Sequence, residues 1–267
     1  MDSILTIEEV KKIEIEILDH IDQVLTGNGI PYFLDGGTLL GAVRHNGFIP
    51  WDDDIDLIIP RKYYREALEA LVKSEGPFHV KSRYTDDEYS YMFAKVIDSR
   101  TELDENSLSP DVGLGVYVDL FPLDFLPENE TRRKLFMRKM WVLRKIAYNS
   151  IFWEYSREKL SRSKKVLSCI CNLYGWRKAF KKIEHLCEKS SAAPTNYVAD
   201  IVSAPKMYMW TKAIDFESAV SIPFEGKKYP APGGYDSYLR ALYGDYMQLP
   251  PVEQRVLHHS FTVYRKE

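Results

Sequence analysis

Leu34-Asp35-Gly36-Gly37-Thr38, followed by Trp51-Asp52-Asp53-Asp54-Ile55-Asp56-Leu57, is the stretch on which the reading of this 267-residue chain turns. Its two halves have complementary physics. A Gly-Gly pair between a short apolar run and a helical one lets backbone N–H groups approach an anion closely, and the helix N-terminus adds partial positive charge. The second half supplies carboxylates. Side chains alternate along a strand, so Asp54 and Asp56 are expected on one face with Cα atoms roughly 6.5–7 Å apart, joined by Asp52 if the strand starts early. Such carboxylates repel one another, and a divalent cation is the usual means of holding them together. Mg²⁺ is the natural candidate, with Mn²⁺ as a substitute, because it takes one or two protein carboxylates and fills its octahedron with water and phosphate oxygens. That chemistry places a nucleotide diphosphate between the glycines and the aspartates.

The flanking sequence supplies a scaffold. Ile7, Val10, Ile13, Ile17, Ile21 and Val24 recur at helical spacing behind a Thr6/Glu9 capping box, with a stop at Gly27-Asn28-Gly29. A short strand at 31–34, a helix at 38–45 ended by Asn46-Gly47, a strand at 55–59 closed by Pro60 and a helix at 63–71 come next. Strands are expected near 78–84 and 91–97, then a polar loop over 101–111. The segment 115–121 alternates around Asp119, a lone carboxylate in an apolar strand and hence the best third ligand. Long basic helices fill 131–189. An extended patch at 216–229, a Pro-Gly turn at 231–234 and a helix at 236–246 complete the chain. The expected class is α+β: a mixed β-sheet core flanked by helices over 1–128, a basic helical segment over 129–214, and a C-terminal segment, 215–267, packing back on the core.

The order strand, Gly-Gly, helix, Asp-apolar-Asp strand, lone-Asp strand resembles the nucleotidyltransferase superfamily of the polymerase-β type. The string from Phe33 to Asp56 is similar to the signature of one branch, the LicD family of phosphocholine transferases, which includes the fukutin-like enzymes. Further matches are Phe93-Ala94-Lys95-Val96-Ile97-Asp98, Val118 to Asp124, Tyr238 to Met247, and Leu249-Pro250-Pro251. The 16 residues between Gly37 and Asp54 exceed the superfamily's usual spacer, and LicD-like sequences share this insert. The resemblance implies transfer of phosphocholine from CDP-choline to a sugar hydroxyl of a bacterial surface glycan, of teichoic acid or lipopolysaccharide type and lipid-linked, with CMP leaving.

By position it implies Asp54, Asp56 and Asp119 as catalytic metal ligands, Asp52 as an outer participant, and Gly36, Gly37 and Thr38 as holders of phosphate oxygens. Arg44 and Lys95 are candidates for stabilising equatorial phosphoryl oxygens, with a surface salt bridge as the plain alternative. Quaternary ammonium groups are held by aromatic faces, so Trp51, Tyr91 and Tyr117 are candidates for choline, against ordinary core packing. His45, ending a short helix, reads better as a C-terminal cap than as a base, and ranks below Asp119. Two other classes remain open: a nucleotidyltransferase acting on RNA or a small molecule, and an inert binding module. The long spacer and the tail motif argue against the first, so no nucleic acid is expected, and the intact carboxylates argue against the second.

Composition bounds the rest. With 45% hydrophobic and 28% charged residues the chain is globular, which excludes disorder, collagen and a small disulfide scaffold. Cys169, Cys171 and Cys187 lack metal or disulfide spacing and are expected as reduced thiols. With no signal-peptide pattern and no apolar run of membrane-spanning length, a cytoplasmic location is expected, peripheral to the inner face of the plasma membrane. The net charge of −3 conceals an asymmetry. Residues 131–190 hold 17 Lys or Arg against four Glu, a charge of +13, so the remainder carries −16. Phe136, Trp141, Phe152, Trp153, Trp176 and Phe180 interleave with those cations, as in an interfacial helix contacting anionic membrane; a solvated helical subdomain is the alternative.

Overall fold

The computed structural model describes residues 3–105, 113–204, 206–255 and 261–266. β1 (Ser3–Ile4) leads into α1 (Ile7–Gly27), whose capping box forms as the sequence implies: Glu9 N–H donates to Thr6 Oγ1 (3.3 Å) and Thr6 N–H to Glu9 Oε2 (2.8 Å). α1 buries Val10, Ile13, Ile17, Leu18, Ile21 and Leu25 in the main core. β2 (Phe33–Leu34) and α2 (Gly36–His45) follow; α2 ends on Asn46, left-handed at φ 58°. β3 (Asp56–Pro60) runs directly into α3 (Arg61–Lys73), and β4 (Phe78–Lys81), β5 (Ala94–Asp98), β6 (Thr101–Glu105) and β7 (Tyr117–Phe125) complete the first half.

The second half holds α4 (Glu130–Ser156), α5 (Arg162–Tyr174) and α6 (Trp176–Ser190), then β8 (Tyr197–Asp200) and β9 (Thr211–Lys212). The hairpin β10 (Ala219–Phe224) and β11 (Lys227–Pro232), α7 (Tyr235–Tyr243) and β12 (Phe261–Arg265) close the chain.

The architecture is α+β. The main sheet runs β2-β3-β7-β5-β4, with β3 and β7 parallel and the other pairs antiparallel; β8 continues along β7 beyond the end of β5, and β9 pairs with β8. Nine-residue β7 is the spine, and all but its last residue are buried, which explains its nearly continuous apolar sequence. Arg61, opening α3, clamps Asp124 of β7 through two charge-assisted hydrogen bonds (2.7 and 2.6 Å), and Ser191 just beyond α6 donates a third (3.0 Å). Phe224, Tyr229, Tyr238, Leu239 and Tyr246 from the C-terminal part join the core cluster of α1, α2 and the sheet. α4, α5 and α6 pack on one another, with Trp176 and Phe180 inside against Ala147 and Ile151, not at a surface.

Three local expectations are corrected. The polar stretch over 101–111 is a strand for its first five residues: Thr101–Glu105 pairs antiparallel with β12, itself paired to β1. That partner lies far along the chain, so no local pattern announces it; residues 106–111 lie outside the described residues. The turn expected at 231–234 is confined to Gly233-Gly234, since β11 extends to Pro232, and the extended patch at 216–229 is broken by a hairpin turn at Glu225-Gly226, both at positive φ as a two-residue loop requires. β3 starts at Asp56, so Asp54 stands in the preceding loop and does not share Asp56's face by strand alternation. Pairing with β7 begins only where Asp119 N–H donates to Ile55 C=O at 2.9 Å.

Candidate active site

Three adjacent strands bring the chemistry abreast. Asp56 on β3 is the register partner of Asp119 on β7, and Asp119 is in turn the register partner of Lys95 on β5. The Lys95 ammonium donates to Asp119 Oδ1 at 2.7 Å, and both side chains are buried. Tyr117, two residues before Asp119, places its ring centre 3.3 Å from Lys95 Nζ; Tyr91 and Phe93 stand at 5.0 and 5.2 Å. Lys95 is thus a buried cation held between a carboxylate and aromatic rings, and its alternative as a surface salt bridge is gone. Tyr91 and Tyr117 belong to its cage.

The helix start at Gly-Gly meets the acidic loop edge-on. Gly36 is left-handed at φ 51°, and a side chain there would set its Cβ 2.9 Å from Asp56 Oδ2; a Cβ at Gly37 would collide with Asp52 Oδ2. Glycine is therefore required by close approach of the carboxylates as well as by backbone conformation. Asp52 and Asp56 lie against the positive end of α2. Thr38 is buried, and its hydroxyl accepts the Asp56 N–H at 2.8 Å, so it fixes the start of β3.

Ligand atoms of Asp52, Asp53 and Asp54 lie within 4.8 Å of one another, the one such acidic group among the described residues. Burial first, then the charges of Asp54 and Asp119, pushes Asp56 well above the ordinary carboxylate range, and burial likewise raises Asp52. Glu14 of α1, 2% exposed, is raised well above its ordinary value by burial and then by Asp54 and Asp53, and its Oε2 has no hydrogen-bond partner. This all-oxygen donor set carries more like charge than its burial tolerates, which is the chemistry a hard divalent cation relieves.

Two cavities meet at this point. A cleft of about 690 Å³ is bounded by Gly37, Arg44, Trp51, Asp52, Asp54 and Asp56, and closed by the tail from Tyr243 to Pro251. Arg44 is braced there, donating through Nη1 to Tyr246 C=O (2.8 Å) and through Nε to His45 Nε2 (3.0 Å). His45 is thereby an acceptor for Arg44, and burial with the Arg44 charge lowers its pKa. Trp51 packs edge-on to His45, with the Arg255 guanidinium 5.3 Å from its ring. On the other side of Gly37, Asp56 and Tyr243 lies a recess of about 210 Å³, walled by Phe121, Trp210, Tyr238, Asp35 and Asp200. Trp51 lines the wide cleft, whereas Tyr91 and Tyr117 face Lys95.

Asp35, Asp200, Trp210, Tyr238 and Tyr243 were not singled out from sequence. Tyr238 and Tyr243 fall in the tail segment of the resemblance, and Asp35 carried a local signal, an N-cap position before Gly-Gly, yet it makes no side-chain cap; instead Tyr238 Oη donates to its Oδ1 at 2.6 Å. Burial pushes Asp35 up to about 6 despite that bond. Because its folded-state value exceeds the ordinary carboxyl value of about 3.9, the folded chain holds the proton more tightly, and stability falls as pH rises from about 4 through 6. The loss is on the order of 3 kcal/mol. Asp35→Asn keeps an acceptor for Tyr238, so thermal unfolding at pH 4.5 and 7.5 should show wild type losing stability relative to the variant; parallel curves would refute this.

The fold is α+β, and the class of domain that carries this site comes from comparison with known families. Residues 29–153 match the family described as LicD/FKTN/FKRP, nucleotidyltransferase domain, and this segment is a LicD-family domain. Over 97% of its length the chain is 29% identical to the lipopolysaccharide cholinephosphotransferase LicD of Haemophilus influenzae, covering 98% of that protein. An uncharacterised Rickettsia prowazekii protein is 30% identical over 55% of this chain and 54% of its own. The human ribitol 5-phosphate transferase FKRP is 31% identical over 45% of this chain and 21% of its own. Among the described residues no helix is long and apolar enough to cross a membrane, and all three cysteines are free thiols.

Proposed function

We propose that this chain is a Mg²⁺-dependent transferase moving phosphocholine from CDP-choline to a sugar hydroxyl of a lipopolysaccharide-type or teichoic-acid-type glycan, releasing CMP. The observation that carries this reading is the junction of two cavities at Gly37 and Asp56, one wide enough for a nucleotide and one smaller and lined by aromatic rings and carboxyl groups, with Lys206 also on its wall. Likeness to a cholinephosphotransferase over nearly the whole of both chains supports the donor class.

Asp54, Asp56 and Asp119, with Asp52 outside them, would hold Mg²⁺. When bound, the ion neutralises diphosphate charge and the charge developing on the departing CMP oxygen. Lys95 orients Asp119 through its 2.7 Å bond. Asp119 accepts the acceptor hydroxyl's proton as the new oxygen–phosphorus bond forms and the bond from that phosphorus to the CMP oxygen breaks. Arg44, on the wall of the wide cleft, balances phosphate charge, and the N–H groups of Gly36 and Gly37 lie at the helix end suited to an anion.

Choline cannot donate an N–H hydrogen bond, and it is held by aromatic faces and negative charge. The recess offers Trp210, Tyr238, Tyr243 and Phe121 with the carboxyl groups of Asp35 and Asp200, whereas Tyr91 and Tyr117 already face Lys95. The test incubates the full chain with Mg²⁺, a lipopolysaccharide acceptor and CDP-choline, CDP-ethanolamine, CDP-ribitol, or CTP with RNA. CMP from CDP-choline, abolished by EDTA, is expected. Trp210→Leu should raise KM for CDP-choline about tenfold, the scale of one desolvated cation–π contact, and alter CDP-ethanolamine less. Turnover of CDP-ribitol alone would replace the substrate, and RNA extension would replace the reaction class.

A further inference from the structure

α5 is built inside out. Its buried positions include only Ser168 and Cys171, while Val166 (62% exposed), Leu167 (51%), Ile170 (60%), Leu173 (82%) and Tyr174 (42%) face solvent. These positions follow i, i+1, i+4, i+7, i+8 spacing, which gathers them into one stripe roughly 120° wide. A stripe of this kind normally faces a core. Here the helix packs on α4 and α6 through its polar side, and the stripe is left outside.

The charge on the same helix is equally misplaced for folding alone. Arg162, Lys164 and Lys165 occupy the first turn, no acidic residue occurs anywhere in the helix, and Ser161 makes no side-chain cap. Three cations at the positive end of a helix oppose its dipole, an unfavourable arrangement that an external anion relieves. The surrounding segment, with its charge of +13, adds to that field.

We propose that α5 is a membrane-docking face, inserting Val166, Leu167, Ile170, Leu173 and Tyr174 into the interface of a bilayer while Arg162, Lys164 and Lys165 engage anionic lipid headgroups. The apolar stripe and the cationic turn are both features of an interfacial helix, and they lie on one element. A second copy of α5 meeting it face to face is the poorer occupant, because it would bring the same cations and no acid to meet them. The face differs from the one the aromatic residues suggest by sequence, since Trp176 and Phe180 are interior. It is independent of the transferred group, and its test requires no turnover.

The full chain is sedimented with unilamellar vesicles of phosphatidylcholine alone or with 30% phosphatidylglycerol. Partition onto the anionic vesicles should be at least tenfold stronger and should weaken at high salt. Leu167→Glu with Ile170→Glu and Leu173→Glu should lower it at least tenfold with an unchanged Tm, since those side chains are exposed. Arg162→Glu with Lys164→Glu and Lys165→Glu should remove the preference for anionic lipid. Absence of wild-type binding at low salt, or equal binding by the first triple variant, would overturn the proposal. So would a wild-type dimer that the same variant dissociates and that vesicles fail to disrupt.

Discussion

Asp56→Asn should lower CMP release from CDP-choline roughly a thousandfold, the scale of removing one electrostatic stabiliser from a site poor in water, while raising the stability of the metal-free protein. The two effects have one cause. Asp56 is packed against Gly36 at the end of α2, in register with Asp119, and its ionisation is opposed by burial and by the charges of Asp54, Asp119, Asp35 and Asp52. Asparagine keeps the shape and removes the charge, so the folded state is relieved by about 1–3 kcal/mol, as expected when an opposed buried charge is neutralised. The same charge is the one a divalent ion would need. The measurements are the initial rate with Mg²⁺ and the unfolding midpoint in EDTA. A wild-type rate would remove Asp56 from the chemistry, and a lowered midpoint would mean the carboxylate is a structural partner.

Lys95→Met should destabilise the chain by about 3–5 kcal/mol, the usual cost of leaving one member of a buried ion pair alone, and should abolish transfer. Methionine preserves most of the stem that fills the space beside Tyr117, so the loss reports the ammonium and not the packing. The Asp119 carboxylate would then face Asp56 without the Lys95 ammonium. Combining Lys95→Met with Asp119→Asn should recover most of the stability and none of the activity, because the second change removes the charge that Lys95 had balanced. Urea unfolding of the four proteins in this cycle checks it. A double variant as unstable as Lys95→Met would show that the pair does not control stability, and an active one would remove both groups from the mechanism.

Sequence pattern reached the parts of the molecule governed by local physics. The Thr6/Glu9 box, the stops at Gly29 and Asn46, the Gly-Gly entry to α2 and the strands carrying Asp56 and Asp119 are each set by a few neighbouring residues. The hairpin turn at Glu225-Gly226 went unread because Pro232 and the following glycines are louder turn signals than Glu-Gly. β6 is polar and is made a strand only by β12. Asp54 lost its place on the strand because pairing starts one residue after it.

The site divides along the same line. The sequence alone determined that carboxylates, a Gly-Gly helix entry and a lone aspartate in an apolar strand occur in an order that implies one charged centre, because alternation and helix polarity act over a few residues. Only the tertiary structure decided that Lys95 pairs with Asp119, that Asp35 and Trp210 wall the same recess from opposite halves of the chain, and that the apolar stripe of α5 faces outward. A helix with that periodicity has one sequence pattern whether its stripe is buried or exposed. Which occurs depends on the surfaces of α4 and α6, and those are known only once the chain has folded.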